Sequence, residues 1–299
     1  MRNIIHKGFF FLAYHNAFDW LDDENYLKLV YWARTAKHLR LSEPKTFNEK
    51  LQWLKLHDRR EEYTGMVDKY AVKDYVASLI GEEYIIPTLG AWDSFDEIDF
   101  DSLPKQFVLK CTHDSGGLVI CSDKDKLDMG SAKKKINRSL KANYFKTSRE
   151  WPYKNVPKKI IAEKYMTDES NEELKDYKLM CFNGRVEYTL VCSGRFSDEG
   201  LTETFYDRDW NTAPFYRPKH PPKKDGIKKP ETYDEMVRLA EIIAKDIPFV
   251  RVDFYDVNGR VYFGEITFYP ASGCEAFMPE EWEYKLGDLI DLPVKGSNG

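Results

Sequence analysis

The composition of this 299-residue chain sets the first limits on what it can be. Hydrophobic residues make up 42% of it and charged residues 32%, so the chain can bury a large core and is neither disordered nor collagen-like. Fifty acidic residues against 45 basic ones give a net charge of -5, which argues against a dedicated nucleic-acid-binding protein.

The spacing of cysteine and histidine indicates neither a disulfide framework nor a zinc site. The five cysteines are an odd number, are scattered and include no Cys-x-x-Cys pair, so we expect buried thiols in a reducing compartment. The six histidines include no His-Glu-x-x-His pattern, which would be typical of a zinc enzyme. We therefore expect a cytoplasmic protein.

Residues 1–45 are predicted to form a helical extension rich in aromatic side chains. The apolar run from Gly8 to Ala13 is much shorter than the about 20 residues that a membrane-spanning helix needs. We expect helices packed on the main body, because aromatic stripes are usually core. The alternative is a peripheral membrane contact through residues 1–20, where basic side chains flank Phe9–Leu12.

Two helices are predicted next, within a helical region that spans residues 46–105. Thr46 and Glu49 have the spacing of a capping box, which predicts a helix start. A second helix is predicted from near Asp68, with Gly81 as its end.

Short apolar runs, typical of strands, follow. Gln106–Cys111 and Gly117–Cys121 flank a polar, glycine-containing loop, and Lys159–Met166 is a further predicted strand. Lys110 interrupts the first run, and a lysine among apolar neighbours is costly unless its ammonium meets an anion or leaves the sheet. The glycine-containing loop could place backbone N–H groups against a phosphate. The alternative is an ordinary hairpin whose lysine faces water.

The second half of the chain is rich in predicted hairpins. The paired runs are Asp176–Phe182 with Val186–Ser193, and Phe249–Tyr255 with Arg260–Thr267. An Asn-Gly dipeptide, a strong turn signal, lies between the two runs of each pair. Between these hairpins we expect an exposed, basic, proline-rich loop at residues 214–230 and a helix from Thr232, with Glu235 completing a second capping box. Helices followed by antiparallel hairpins predict an α+β fold.

Two acidic residues interrupt the last hairpin. Asp253 and Glu265 lie in otherwise hydrophobic strands, and a pair of buried carboxylates suits Mg²⁺. The alternative is a structural ion pair between Arg251 and Glu265 on a solvated sheet face. A two-residue turn would place the two carboxylates on opposite faces of the sheet. A three-residue loop at 257–259 would pair Asp253 with Phe263 and so place Asp253 and Glu265 on one face. We predict the three-residue loop.

Together, these stretches resemble the TupA-like ATP-grasp proteins of surface-polysaccharide biosynthesis. The two common nucleotide fingerprints, Gly-x-x-x-x-Gly-Lys-Ser/Thr and Gly-x-Gly-x-x-Gly, are absent from the sequence. The resemblance runs from about Pro44 to Leu292 through the motifs Thr46–Lys55, Asp68–Tyr70, Phe107–Gly117, Asp176–Gly184 and Gly264–Gly273. It implies an ATP-grasp fold in which two α+β subdomains clasp ATP. The implied parts are a small subdomain at 106–166, a large subdomain with the metal site at 167–292, and a disordered tail at 293–299.

The resemblance also implies a nucleotide site. Lys69 and Lys110 match phosphate-binding lysines, and Asp176 matches a ribose-binding acid. A mobile loop over the triphosphate is implied at His113, Asp114, Ser115, Gly116 and Gly117. A segment that contacts adenine is implied at Glu163, Lys164, Tyr165 and Met166.

Metal-binding and catalytic residues are implied in the same way. Asp253 and Glu265 match magnesium-bridging carboxylates, while Thr267 stands where many superfamily members have asparagine, so one or two Mg²⁺ ions are expected. Arg251 matches an arginine that faces the acyl group. Lys178 and Arg195 are expected to contact phosphates or the carboxylate of the acceptor.

The implied reaction is ATP-dependent carboxylate–amine ligation through an acyl phosphate. We expect an amino acid or short acidic peptide to be joined to a uronic-acid sugar of a capsular or cell-surface glycan, with ATP and Mg²⁺ as cofactors and no nucleic-acid partner. Three alternatives are a kinase-like ATP-grasp phosphotransferase, a glycosyltransferase, and a nucleotide-binding scaffold without turnover.

Overall fold

The computed structural model describes residue 12 and residues 17–168, 174–194 and 200–293. Arg195, most of the segment 1–20 and the tail from residue 294 lie outside the described residues, and so do the predictions made for them. Within the described ranges, no helix combines the length and the apolar character needed to cross a membrane.

The α-helices of the described ranges include those predicted near Thr46, Asp68 and Thr232. They are α1 Asp23–Thr35, α2 Phe47–His57, α3 Glu62–Val67, α4 Ala71–Ile80, α5 Met129–Lys141, α6 Tyr144–Ser148, α7 Tyr233–Ile243 and α8 Glu281–Asp288. The capping box of α2 is confirmed, because the Thr46 hydroxyl accepts from the backbone N–H of Glu49 at 3.2 Å and the Glu49 carboxylate accepts from that of Thr46 at 3.0 Å. Before α4, the Asp68 carboxylate accepts from the backbone N–H of Tyr70 at 2.9 Å, which fixes the entry to that helix.

The second predicted capping box, at the start of α7, is wrong. Thr232 has helical backbone angles, and its side chain makes no capping hydrogen bond. Its hydroxyl donates instead to Asp256 at 2.7 Å, and Glu235 accepts from the Tyr84 hydroxyl at 2.5 Å. Partners that are distant in sequence thus take both side chains away from the helix end.

Nine described strands form two sheets. They are β1 Thr88–Trp92, β2 Phe107–Cys111, β3 Leu118–Cys121, β4 Ile160–Lys164, β5 Asp176–Phe182, β6 Arg185–Ser193, β7 Thr202–Asp207, β8 Phe249–Val257 and β9 Arg260–Thr267. The small sheet has the order β1-β4-β2-β3, and the large sheet has the order β7-β6-β5-β8-β9. The predicted hairpins β2–β3, β5–β6 and β8–β9 are confirmed. The edge strands β1 and β7 were not predicted.

Alternation along the small sheet decides which side chains face the large sheet. Phe107, Leu109 and Cys111 of β2 are buried and share a core with α5. Lys110 therefore lies on the opposite face of the sheet. Glu163 shares that face, because it pairs directly with Val108 of the same strand.

Candidate active site

A cavity of about 220 Å³ lies between the small sheet and the large sheet. Its charged lining residues are Lys69, Lys73, Lys110, Asp114, Glu163, Asp176, Lys178, Asp253 and Glu265, and its apolar ones include Val72, Ile85, Ile86, Leu118 and Phe263. A shallower depression of about 360 Å³ lies beside the Asn258-Gly259 turn, but none of the predicted site residues lines it. The smaller cavity is therefore the candidate site.

On the small sheet, Glu163 is held between two lysines. Its carboxylate, only 5% exposed, lies 2.5 Å from the ammonium of Lys110 and 2.6 Å from that of Lys73. Burial alone would raise the pKa of Glu163, but the two positive charges lower it, so the carboxylate is ionised. Lys73 was missed in the sequence. Its signal is its spacing of four residues after Lys69, which would place both lysines on one side of the helix predicted from near Asp68.

Buried side-chain contacts hold the loop between β2 and β3 in place. The side chains of His113 and Asp114 are buried, and both contact Ser139 of α5 rather than projecting from the loop. The Asp114 carboxylate also accepts from the backbone N–H of Gly117 at 3.0 Å. The ammonium of Lys69, two residues before α4, donates to the backbone carbonyl of Asp114 and so links the turn before that helix to the same loop.

Ser115 and Gly116 form the exposed tip of this loop, whereas Gly117 is packed tightly at its base. A Cβ added at Gly117 would lie 2.4 Å from the Ser139 hydroxyl and 2.5 Å from the Cys111 sulfur. Only glycine fits there without displacing its neighbours. The tip therefore carries backbone groups that can meet a ligand, while the base fixes its position.

The strands β8 and β9 bring the two predicted metal-binding carboxylates together, but not by the predicted loop. The turn has two residues, since Val257 pairs with Arg260, so the three-residue loop is wrong. The pairing then shifts between Asp253 and Phe254, and Gly264 becomes the extra residue of a β-bulge. Because of the bulge, Asp253 pairs directly with Glu265 and both side chains lie on one face.

Arg251 and Lys178 surround the Asp253 carboxylate. Arg251 makes a bidentate pair with it, with Nε–Oδ1 and Nη2–Oδ2 distances of 2.7 Å. Lys178 donates to Asp253 and also contacts the carboxylate of Asp176. Arg251 Nη2 also contacts the Glu265 carboxylate at 3.1 Å. The structure therefore contains both the predicted pair of carboxylates and the Arg251–Glu265 ion pair that was its alternative.

The pKa values of the two carboxyl groups in this cluster, Asp253 and Glu265, shift in opposite directions. Burial raises the pKa of Asp253 to about 6, against the opposing charges of Arg251 and Lys178. Burial would raise the pKa of Glu265 as well, but Lys178 and Arg251 outweigh it and lower that pKa to about 2. Glu265 also keeps 45% of its side chain accessible, whereas Asp253 keeps 1%. At neutral pH, Glu265 is thus an ionised carboxylate that lines the cavity.

The remaining predicted residues lie at the end of β4. Lys164 is exposed, and its backbone N–H donates to the carbonyl of Pro87 at 3.0 Å. Tyr165 and Met166 follow, and both are half-buried. Tyr255 of β8, which pairs directly with Asp176, also lines the cavity and was missed; its signal is its place two residues after Asp253 on the same face.

The sequence profile of the TupA-like ATPgrasp family matches residues 49–291. The chain belongs to this family. Membership confirms the ATP-grasp fold and the α+β class expected from the motifs. No curated protein matches the sequence.

Among solved structures, this ATP-grasp chain is similar to the D-alanine–D-alanine ligase of Bacillus anthracis complexed with ATP, with a TM-score of 0.43, 15% identity and coverage of 75% of this chain and 63% of that one. It is also similar to the D-alanine–D-alanine ligase of Helicobacter pylori, with a TM-score of 0.43, 14% identity and coverage of 82% and 69%. The ATP-grasp ligase PsnB complexed with minimal precursor, Mg and ADP follows at 0.39, with 9% identity and coverage of 74% and 57%. The chain thus spans 57–69% of the length of these ligases.

The donor set of this ATP-grasp site fits Mg²⁺. Within the described part of the chain, no group of three or more His, Cys, Asp or Glu side chains is arranged to hold a metal. Asp253 and Glu265, which pair directly across β8 and β9, would be the protein ligands, with Thr267 beside them, and phosphate oxygens and water would complete the shell. One or two carboxylates plus substrate phosphates are the usual ligands of Mg²⁺ in phosphoryl-transfer sites. Bound there, the ion would neutralise phosphate charge.

Proposed function

We propose that this chain is an ATP-dependent carboxylate–amine ligase that joins an amino acid or short acidic peptide to a uronic-acid sugar of a cell-surface glycan. One observation carries the proposal. Lys69 and Lys110 line one side of a single cavity, and Asp253 and Glu265 line the other. Lysine side chains that can bind a polyphosphate thus face carboxylates that can bind its Mg²⁺ counter-ion. Phosphoryl transfer needs this arrangement of charges.

In this proposal the small sheet and α4 bind the nucleotide. Lys69 and Lys110 contact phosphates, and the loop tip at Ser115 and Gly116 closes over them through backbone N–H groups. Glu163 and the 164–166 segment contact the adenine. Asp176, on the facing strand of the large sheet, contacts the ribose.

The chemistry has two bond-making steps. An oxygen of the substrate carboxylate attacks the γ-phosphorus, and the bond from that phosphorus to the bridging oxygen of ADP breaks, which gives an acyl phosphate. The acceptor amine then attacks the acyl carbon, the carbon–oxygen bond to phosphate breaks, and the amine loses a proton. In this proposal Arg251, which makes a bidentate pair with Asp253, stabilises the negative charge that develops at the acyl oxygen.

The family resemblance supports the glycan part of the proposal, because the TupA-like proteins that this chain resembles are those of surface-polysaccharide biosynthesis. The half-reaction needs only a carboxylate and ATP, whereas the full reaction needs an amine as well. The two substrates can therefore be assigned separately.

The test is ADP release, measured with a grid of uronic acids and amino acids, together with ATP binding measured by calorimetry. Hydroxylamine added without an amino acid should trap the acyl phosphate as a hydroxamate. We expect ATP binding, carboxylate-dependent hydroxamate, and an amide product by mass spectrometry. A product that retains phosphate would instead identify a phosphotransferase, and ATP binding without ADP release under any pair would identify a scaffold.

A further inference from the structure

A buried carboxylate that the proposed chemistry does not use lies beside the candidate site. Glu150, between α6 and the short 3₁₀ helix Trp151–Tyr153, is 3% exposed. Its carboxylate accepts a hydrogen bond from the hydroxyl of Tyr144, the first residue of α6, at 3.5 Å. The ring of Tyr144 packs against that of Tyr153, with ring centroids 4.7 Å apart. Two half-buried tyrosines thus lie next to this buried carboxylate.

The tyrosines connect Glu150 to the cavity. The charge of Glu150 and burial raise the pKa of Tyr144, whereas hydrogen bonding to Ser115 lowers it. Ser115 is at the exposed tip of the loop between β2 and β3 and lines the cavity. Burial raises the pKa of Tyr153 as well, and the nearby charge of Glu265 adds to the rise at both tyrosines. Two hydroxyl groups therefore lead from the cavity, beside a candidate metal ligand, to the buried carboxylate.

A structural role explains only part of this arrangement. The ammonium of Lys55 in α2, which is 1% exposed, donates to the carbonyls of Ser148 and Ser272 at 3.0 Å and to the Ser272 hydroxyl at 2.9 Å. The Ser272 side chain also hydrogen-bonds Glu150 and so lies between the two charges. Neutral oxygens thus satisfy the lysine, and the side of the carboxylate that meets Tyr144 serves no charge of the core.

The surroundings of Glu150 tune it as a proton acceptor. Burial raises the pKa of Glu150 above its ordinary value, although the charges of Lys55 and Arg34 oppose the rise. Hydrogen bonds from Ser272 and Tyr144 oppose it as well. General-base catalysis is most effective when the pKa of the base lies near the working pH, so the direction of this shift suits a proton acceptor.

We propose that the Tyr144 hydroxyl and the Glu150 carboxylate together accept the proton that the acceptor amine must lose before it attacks the acyl phosphate; this inference rests on the proposed function. An amino acid carries an ammonium group at neutral pH, and that nitrogen has no lone pair for attack. One ammonium proton passes to the Tyr144 oxygen while the Tyr144 proton passes to Glu150. Because the pKa of Tyr144 is raised, the two transfers are concerted and the tyrosine stays neutral.

The bond-making steps then follow. The free amine attacks the acyl carbon, the bond from that carbon to the phosphate oxygen breaks, and the second nitrogen proton leaves with the phosphate. The 3.5 Å between the Tyr144 hydroxyl and Glu150 is long for a hydrogen bond. Catalytic hydrogen bonds are often long without substrate and tighten in the substrate complex.

The test separates activation of the carboxylate from attack by the amine. Hydroxylamine is mostly uncharged at neutral pH, so it traps the acyl phosphate without first losing a proton. Hydroxamate formed with hydroxylamine and amide formed with the standard amino acids in turn are measured on the same protein, with galacturonate and glucuronate as carboxylates. The two readouts therefore share the first step and differ in the need for a proton acceptor.

Two variants and a matched control are compared with the parent. Glu150→Gln removes the proton acceptor, and Tyr144→Phe removes the connecting hydroxyl without altering the buried charge. The control is Tyr153→Phe, because the Tyr153 ring packs on that of Tyr144 but its hydroxyl makes no hydrogen bond within the described part of the chain. Urea unfolding checks that each variant is folded.

We expect Glu150→Gln and Tyr144→Phe to form hydroxamate within about threefold of the parent rate and amide at least about 100-fold more slowly at about pH 7.5. The loss of amide should shrink at about pH 9, where more of the amine is uncharged in solution. Tyr153→Phe should match the parent in both assays.

Equal losses of hydroxamate and amide in the two variants would identify a structural role and overturn this inference alone. Parent-like amide formation in either variant, or the same selective loss in Tyr153→Phe, would overturn it too. A parent that forms no hydroxamate, or hydroxamate but no amide, would refute the amino-acid ligase itself, and this inference would fall with it.

Discussion

Asp253 and Glu265 face each other across β8 and β9 because Gly264 is an extra residue in β9. Without that bulge, the two-residue turn at Asn258-Gly259 would leave the carboxylates on opposite faces of the sheet. A β-bulge shifts the strand pairing beyond it by one residue. Here the shift places the buried Asp253 and the accessible Glu265 opposite each other on one face of the sheet. Residues that are twelve positions apart in the chain thereby become candidate ligands of one ion.

Glu265→Gln should keep the fold and lose metal-dependent turnover. The substitution preserves shape and leaves the bidentate pair of Arg251 with Asp253, but it removes a carboxylate whose pKa is lowered in the folded protein, so the protein should fold with a reduced free energy of unfolding. The loss of one anionic ligand should raise the Mg²⁺ concentration needed for half-maximal ADP release by about 10–100-fold. The control is Glu187→Gln on β6, which should leave the Mg²⁺ requirement unchanged. Parent-like Mg²⁺ dependence in Glu265→Gln would remove Glu265 from the metal site.

Lys110→Ala should weaken ATP binding more than it weakens folding. Lys110 faces the cavity, and its partner Glu163 keeps Lys73 as a second cation, so the small sheet loses no core contact. Loss of one ammonium–phosphate contact should cost about 1.5–3 kcal/mol of binding free energy. Calorimetry checks this value, with Lys134→Ala on the exposed face of α5 as the matched control. If Lys110→Ala binds ATP like the parent, the small sheet does not hold the phosphates.

Arg251→Ala should be strongly destabilising whatever the activity of the protein. Asp253 is 1% exposed and accepts two hydrogen bonds from Arg251. Removal of the arginine side chain leaves this buried carboxylate with Lys178 as its remaining close cation. Breaking such a pair typically costs about 3–5 kcal/mol. Urea unfolding measures the loss. Arg185→Ala, an exposed arginine of the same sheet, should cost less than about 1 kcal/mol, and a similar cost for both variants would contradict the argument.

Local signals predicted much of the fold, and long-range pairing explains what they missed. The capping box at Thr46 and the Asn183-Gly184 turn depend on neighbours within a few residues, and both appear as expected. The bulge at Gly264 depends on how two strands settle against each other, so turn chemistry alone gave the wrong loop length. At Thr232 a capping pattern was present, but a partner 24 residues away competed for the hydroxyl. The candidate site was predictable where each residue type carried its own chemistry, as at Lys110, and not where a pairing defines the role, as between Lys73 and Glu163.

His113 should make the protein less stable below about pH 6.5. Its ring is 3% exposed beneath the glycine-containing loop, Nε2 donates to the Ser139 carbonyl at 3.2 Å, and Nδ1 has no partner among the described residues. Burial lowers the pKa of His113 below its value of about 6.5 in an unfolded chain. The unfolded state therefore binds the proton more readily, so the stabilisation is present above that pH and is lost as the pH falls, by at most about 1.4 kcal/mol per pH unit.

Urea unfolding between pH 7.5 and pH 5 should show the parent losing stability relative to His113→Gln, while His38→Gln, which replaces an exposed histidine, should follow the parent. If the parent and His113→Gln lose stability in parallel, the folded protein protonates this ring as easily as the unfolded chain does, and the loop is not closed over a neutral histidine.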